Sequence, residues 1–224
     1  MKLSLPIIQR LYRTGLWVVI ILILLDLLTY FYYPDTPLSE IFLATREQTP
    51  LTWVSSLTFL FIALSSFSAY FETKRKIWYF LSIVFFFFSM DDAVYFHERL
   101  SGFFVNETGL FSFFPSYTWV IIYLPLLGFS LGALIYLLWH DVAKNKRKKA
   151  VIVALLMLGF AVLLDLSDGL IQKNSSITFC FNSSCNLVVT HLMRLTEEVL
   201  EVFALGLLGY INIKKHYIEA GDTT

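Results

Sequence analysis

Six apolar stretches of about 20 residues each dominate this 224-residue chain and limit what it can fold into. A stretch of that length is what one helix needs to cross the hydrocarbon core of a bilayer. The chain is 57% hydrophobic and only 15% charged, whereas about a quarter of a typical soluble domain is charged. A soluble globular enzyme, a disordered chain and a fibrous repeat are therefore excluded. The six predicted spans are Gly15–Tyr33, Leu51–Phe71, Ile77–Glu98, Tyr117–Trp139, Ala150–Ile171 and Leu187–Ile213.

The basic residues orient the predicted bundle, because cytoplasmic loops of membrane proteins concentrate Lys and Arg. With the N-terminus inside, 13 of the 17 Lys and Arg residues fall on the cytoplasmic side, including the run Lys144–Lys149. We therefore expect an all-α, polytopic transmembrane bundle of six spans, with both termini cytoplasmic. It forms a single transmembrane domain over residues 1–224 in the plasma or cytoplasmic membrane. The net charge of zero gives no basic-patch argument for nucleic acid, so membrane lipids are the expected partners.

Two smaller patterns predict contacts between elements. Gly128 and Gly132 lie four residues apart on the fourth span, a spacing that lets helices pack closely and predicts a contact in a homo-oligomer. Cys180 and Cys185 lie in the last extracytoplasmic loop, where an oxidising compartment favours a disulfide between them. Two free thiols are the alternative.

Ionisable residues within spans are costly and commonly mark function, and the third span ends with several of them. It carries Asp91, Asp92, Tyr95, His97 and Glu98. At 100° per residue, Asp91, Tyr95 and Glu98 share one helix face. His97 points elsewhere, towards the headgroups or a neighbouring helix.

The fifth and sixth spans bring further charges to the same depth. Asp165 and Asp168 lie on one face of the fifth span, with Gln172 above them. The sixth span contributes a polar segment that consists of His191, Arg194, Glu197, Glu198 and Glu201. Spans three and five run outward and span six runs inward, so the charges of all three spans lie in the outer half of the bilayer. Asp26 of span one also lies there.

Several carboxylates in a low-dielectric pocket cannot all stay ionised without protons, Arg194 or a bound cation. Mixed Asp, Glu and His ligands suit Zn, Mn or Fe, and carboxylates alone suit Ca, so we expect a divalent metal ion. Asp92 and Glu201 are the predicted catalytic residues, one of them a general base, with Glu197, Arg194 and Tyr95 nearby. Interhelical hydrogen bonds, solvated span ends and a local Arg194–Glu198 ion pair are the structural alternatives. The predicted metal ligands are Asp91, His97, Glu98, Asp165, Asp168, His191 and Glu198.

Three functions are compatible with this pattern. The first is a metal-dependent membrane enzyme, such as a hydrolase, acting on a lipid-like substrate. The second is a proton- or cation-coupled transporter or channel that uses the same carboxylates. The third is a structural or sensory subunit. The apolar run Ile83–Phe88 below Asp91 favours a dead-end pocket over a channel.

Three segments together carry a resemblance. They are Thr52-Trp53-Val54-Ser55-Ser56, the pair Asp91-Asp92 with His97-Glu98, and Glu197-Glu198 with Glu201. In this combination the chain resembles uncharacterised prokaryotic multi-pass membrane proteins, in which the acidic pair often reads Asp-Glu. The resemblance implies a helical membrane protein and carries no function with it.

Overall fold

The computed structural model describes residues 5–34, 36–44, 49–106, 119–141, 145–173, 180–181, 184–185 and 187–213. Within these residues the protein is built from helices, with one pair of two-residue strands. The elements are α1 (Leu5–Tyr32), α2 (Pro37–Phe42), α3 (Pro50–Thr73), α4 (Lys76–Val94), α5 (Phe96–Asn106), α6 (Trp119–Asp141), α7 (Asn145–Lys173), β1 (Cys180–Phe181), β2 (Ser184–Cys185) and α8 (Leu187–Ile213).

Among the residues that the structure describes, four helices are each long and apolar enough to cross a membrane, which fits the prediction of a multi-pass membrane protein. The apolar stretches of these helices run Tyr12–Tyr32, Pro50–Thr73, Lys76–Val94 and Lys148–Gln172. They correspond to the first, second, third and fifth predicted spans. Their outward faces carry exposed large apolar side chains such as Leu24, Leu64 and Leu156, as expected for helices in contact with lipid.

Two helical pairs form the centre of the bundle. Lys74 ends α3 in the left-handed conformation (φ 56°), and its N–H donates to the carbonyl of Tyr70 at 2.8 Å. Because only Lys74 and Arg75 separate α3 from α4, the two helices pack side by side as a helical hairpin. α7 packs on α8 in the same way, and α8 also packs on α3, which joins the two pairs.

Small residues allow α3 and α8 to approach each other closely. A Cβ atom at Gly209 would lie 3.0 Å from Cδ1 of Phe61, so α8 presents bare backbone to α3 at this point. On α3, Ser55, Ser56, Ser65 and Ser66 are buried, as close helix packing predicts. The apolar core between these helices includes Trp78, Leu81 and Leu205, which are all at most 1% exposed.

The third predicted span ends earlier than the sequence indicated. α4 stops at Val94, and Tyr95 takes the left-handed conformation (φ 55°), after which α5 starts at Phe96. The expectation that Asp91, Tyr95 and Glu98 share one face of a continuous helix is therefore wrong, because the turn at Tyr95 breaks the helical register.

The cysteine pair and the two glycines of α6 lie where the predicted contacts could form. β1 pairs with β2 in antiparallel register, with the Cα atoms of Cys180 and Cys185 opposite each other. Opposed residues in such a ladder lie about 4.5 to 5.5 Å apart at Cα, which is the spacing that a disulfide requires. On α6, nothing lies within 4 Å of a Cβ built at Gly128 or Gly132, so this face is open to a second copy rather than covered by a helix of the described chain.

Candidate functional site

The turn at Tyr95 folds His97 back onto Asp91. The side chain of Asp91 accepts the His97 backbone N–H on Oδ1 at 2.8 Å, and its Oδ2 lies 2.7 Å from Nδ1 of His97. Tyr123 of α6 donates its hydroxyl to the same Oδ1 at 2.8 Å. His97 does not point away from Asp91, as the continuous-helix prediction required, because the left-handed residue between them reverses the chain.

Asp91 therefore holds the His97 ring in a fixed orientation. The carboxylate is buried, with 7% of the residue exposed, and both of its oxygens accept hydrogen bonds. With Nδ1 facing Asp91, Nε2 is the ring nitrogen that would bind a metal or exchange a proton. A carboxylate that orients a histidine in this way is the usual partner of metal-binding and catalytic imidazoles.

Five acidic side chains from α4, α7 and α8 lie within electrostatic range of one another. We call them the carboxylate cluster, and it consists of Asp92, Asp165, Glu197, Glu198 and Glu201. Asp92 interacts with Glu198 and Glu201, and Glu197 interacts with Asp165, Glu198 and Glu201. Glu201 also interacts with His97, which connects the cluster to the Asp91–His97 pair. All five side chains are half-buried.

The carboxylate cluster has more buried acceptors than donors. Ser55 of α3 is a donor that Asp92 and Glu201 share, and its Oγ lies 3.5 Å from Oε2 of Glu201. Within the part of the chain that the structure describes, the buried oxygens Oδ2 of Asp92 and Oε2 of Glu198 accept no hydrogen bond. Buried carboxylate oxygens without donors are costly, and a cation or a bound proton removes that cost.

A separate ion pair links α7 to α8 beside the cluster. Nε of Arg194 lies 2.9 Å from Oδ2 of Asp168, and Gln172 donates to the same oxygen at 2.9 Å. Gln172 thus lies above Asp168, as predicted. Arg194 thus bonds to Asp168 on the neighbouring helix, and it also interacts electrostatically with Glu198, the partner suggested by the spacing along α8.

A second histidine–carboxylate pair lies between α1 and α8. Nε2 of His191 lies 2.8 Å from Oδ2 of Asp26, and both side chains are 1% exposed. The other oxygen of Asp26 accepts the backbone N–H of Ala44 at 2.6 Å, and the His191 ring stacks on Tyr30 with the centroids 3.9 Å apart. This pair fastens α1 and the segment after α2 to α8.

The predicted site residues therefore divide into groups. Asp91 with His97, Asp168 with Arg194, and His191 with Asp26 form pairs, whereas Asp92, Asp165, Glu197, Glu198 and Glu201 form the carboxylate cluster. Tyr95 donates its hydroxyl to Oγ1 of Thr52 at 3.3 Å, at the edge of the site. The side chain of Glu98 lies outside the described residues. Three polar contributors were not among the predicted site residues, and they are Asp26, Ser55 and Tyr123.

A metal ion coordinated directly by three or more side chains needs those side chains to converge on one point. Among the residues that the structure describes, no group of three or more His, Cys, Asp and Glu side chains is arranged in that way. A cation in the carboxylate cluster would therefore keep water molecules among its ligands, as Mg²⁺ commonly does.

The fold fits a multi-pass helical membrane protein, and the described residues include a half-buried acidic cluster beside an oriented histidine. The chain belongs to the family described as Domain of unknown function (DUF8692), whose profile matches residues 15–212. This match confirms the resemblance to uncharacterised proteins and brings no function with it. No curated protein and no solved structure matches the chain.

Proposed function

We propose that this protein is a membrane-embedded enzyme with a divalent cation in its carboxylate cluster, and that it hydrolyses a lipid-like substrate. The observation that carries the proposal is the set of buried carboxylate oxygens on Asp92 and Glu198 that accept no hydrogen bond within the described residues. The Asp91–His97 pair next to them supports it further, because it supplies an oriented imidazole.

The proposed topology has six spans, with both termini in the cytoplasm. In addition to the four apolar helices, α6 and α8 are each long enough to cross a bilayer. α6 has 23 residues with no Asp, Glu, Lys or Arg before Asp141, and α8 has 27 residues. The charged residues in the first half of α8 face partners on α1 and α7, including Asp26 and Asp168, which supports burial of α8 within the bundle. In this topology the carboxylate cluster lies in the extracytoplasmic half.

The available metal ligands are mostly carboxylate oxygens, which favour a hard cation. Asp91, Asp168 and His191 each have a protein partner of opposite or complementary charge. The groups best placed for the cation are therefore Glu198 and whichever of Asp92 and Glu201 is not the general base, with Asp165 next to Glu201 in the same cluster. Carboxylate ligands suit Ca²⁺, Mg²⁺ or Mn²⁺ better than they suit Zn²⁺. Nε2 of His97 is the one nitrogen donor that the site would add, and Mn²⁺ accepts it most readily of these ions.

Different residues around the cation would then serve different steps of the hydrolysis. A bound divalent cation lowers the pKa of a coordinated water and polarises a carbonyl or phosphoryl oxygen. Asp92 or Glu201 accepts the proton of the attacking water as the general base. Asp91 keeps His97 in one orientation with Nδ1 facing the carboxylate, so Nε2 is the atom that would hold the cation. The carboxylic acid formed on Asp92 or Glu201 would return its proton to the leaving oxygen.

Transport by the same carboxylates is the second candidate, and the packing beneath the cluster argues against it. About one turn further along α8 from Glu201, the interior is filled by the apolar side chains of Phe59, Ile62, Leu205 and Leu208. A conduction path needs polar groups or water at this depth. Cation uptake into proteoliposomes that depends on Glu201 would favour transport. A structural or sensory subunit would show neither uptake nor hydrolysis.

Elemental analysis of the purified protein tests the proposed site. After loading with Mn²⁺ or Ca²⁺ and removal of excess ions, the wild-type protein should retain about one ion per chain. Asp165→Ala should retain much less, because it removes a cluster carboxylate from α7. Thr196→Ala is the matched control, since Thr196 is exposed on α8 and bonds only to the Leu192 carbonyl. A wild-type protein that retains no ion would reject the cation-dependent enzyme.

A further inference from the structure

The short helix α5 has a different character from the spans around it. It has 11 residues, so at 1.5 Å per residue the helix is about 16 Å long. That length is too short to cross a bilayer. It begins directly after the left-handed Tyr95, and the bond from the His97 N–H to Asp91 fixes its first turn to the end of α4. α5 therefore leaves the end of a spanning helix from a fixed position.

The sequence of α5 is amphipathic. At 100° per residue, one arc of about 100° carries Phe96, Leu100, Phe103 and Phe104. Positions 98, 101 and 106, which are Glu, Ser and Asn, fall on the rest of the circumference, where Val105 is the apolar exception. A short helix with one aromatic face and one polar face is typical of a helix that lies in the plane of a membrane interface.

The bundle covers only part of this aromatic face. Leu100 packs against the apolar core, whereas Phe96 is 45% exposed and Phe103 is 54% exposed. Two exposed phenylalanines on one helix face form an apolar patch, and contiguous apolar patches commonly mark a surface that contacts a partner or a membrane.

The exposed phenylalanines continue the lipid-facing surface of α4. On that helix Met90 and Val94 are 54% and 48% exposed, and α4 is one of the four helices able to cross a membrane. The ring of Phe87 on α4 meets the ring of Phe96 edge to face, with the centroids 6.4 Å apart. One apolar surface thus runs from the span onto α5 without a break.

We infer that α5 is an interfacial helix that rests on the leaflet at which α4 ends, with Phe96 and Phe103 inserted among the lipid acyl chains. The occupant of its exposed face is the lipid bilayer. Since His97 directly follows Phe96 in the same first turn, α5 also holds the Asp91–His97 pair at the depth of the lipid headgroups.

This placement narrows the substrate class of the proposed enzyme, and that step rests on the proposed function. A membrane lipid would enter a site at this depth laterally from the leaflet. The bond that joins the lipid to its headgroup would then lie next to His97 and the carboxylate cluster. The expected substrates are therefore lipids with a hydrolysable ester or phosphoester at the headgroup end.

Spin labels on α5 test the inference without any cation or turnover. The full chain carrying Phe103→Cys is labelled with a nitroxide and reconstituted in phosphatidylcholine vesicles, and the parent chain, labelled identically, gives the background from Cys180 and Cys185. Collisions of the label with oxygen, which concentrates in the bilayer, are compared with collisions with a water-soluble nickel chelate. Ser101→Cys is the matched control, about 160° around the helix from position 103.

The label at position 103 should collide more with oxygen than with the nickel chelate, and the label at 101 should show a markedly lower oxygen-to-nickel ratio. Phe96→Cys should match position 103 and replaces it if the Phe103 variant does not remain monodisperse. Preferential collision with nickel at 103 overturns the inference, because the face is then in water. Shielding from both reagents also overturns it, because protein then covers the face. Failure of cation binding with a lipid-inserted α5 would reject only the proposed function.

Discussion

Replacement of His191 by alanine should lower the free energy of unfolding by about 3 kcal/mol, the largest effect on stability that we expect from a single side chain in this protein. The loss has two physical causes. His191 is the charged or hydrogen-bonded partner of Asp26 at 2.8 Å, and both side chains are 1% exposed, so Asp26 would stay buried without its main partner. The substitution also removes the stacked contact of the ring with Tyr30.

Denaturant titration in mixed micelles measures this change, and a double variant separates its causes. When Asp26→Leu is combined with His191→Leu, most of the lost stability should return, because two apolar side chains leave no buried charge behind. Thr196→Ala should change the unfolding free energy by a small fraction of that amount, since its hydroxyl bonds to its own helix on an exposed face. A His191→Ala protein as stable as the wild type would show that the pair does not fasten α1 to α8.

Replacement of Asp91 by asparagine should weaken divalent cation binding about 10- to 100-fold, the loss typical when the carboxylate behind a metal-binding histidine is removed. Asp91 accepts hydrogen bonds on both oxygens, and one of them faces Nδ1 of His97. Asparagine presents an NH₂ group in place of one oxygen, so it cannot accept from both the His97 ring and the groups that bond Oδ1. The imidazole then turns, and Nε2 loses the fixed position that the bonds to Asp91 give it.

Isothermal titration of the reconstituted protein with Mn²⁺ measures the affinity, and ¹⁵N NMR of labelled histidine reports the position of the ring proton. In the wild type, His97 should carry a proton on Nδ1, where Asp91 accepts it. Tyr123→Phe is the matched control, because it removes one donor to Asp91 and leaves both His97 bonds in place, and it should cost less affinity. Equal affinity of Asp91→Asn and wild type would contradict the positioning role of Asp91.

The apolar runs of about 20 residues predicted helices because a chain that crosses a membrane must pair all its backbone N–H and C=O groups. A single run of this length does so as a helix. The sequence did not predict the break at Tyr95. Glycine and asparagine are the usual residues in the left-handed conformation, and a tyrosine gives no local signal for it. The break depends on the bond between Asp91 and the His97 backbone, which forms only when the chain has already turned.

Positions along the helices predicted one depth for Asp91, Asp165 and Glu201, and that depth stays a prediction. The structure brings Asp165 within electrostatic range of Glu201. The pairing of the charges was not predictable from the sequence. The choice of Asp168 as the partner of Arg194 follows from the packing of α7 on α8. The pair of Asp26 and His191 joins residues far apart in the chain, which helical spacing cannot connect. Ser55 was named only as part of the segment Thr52–Ser56, and its bond to Glu201 depends on the packing of α3 on α8.

Direct measurement of Mn²⁺ binding tests the central claim that the carboxylate cluster holds a divalent cation. Free Mn²⁺ gives a six-line electron paramagnetic resonance spectrum that disappears on binding, so a titration of the reconstituted protein counts the bound ions. The wild type should bind about one Mn²⁺ per chain, and the double variant Asp92→Asn with Glu201→Gln should bind none in the same range. Asp26→Asn should keep the site, because Asp26 belongs to the separate pair with His191. Undiminished binding by the double variant, or no binding by the wild type, would contradict the account.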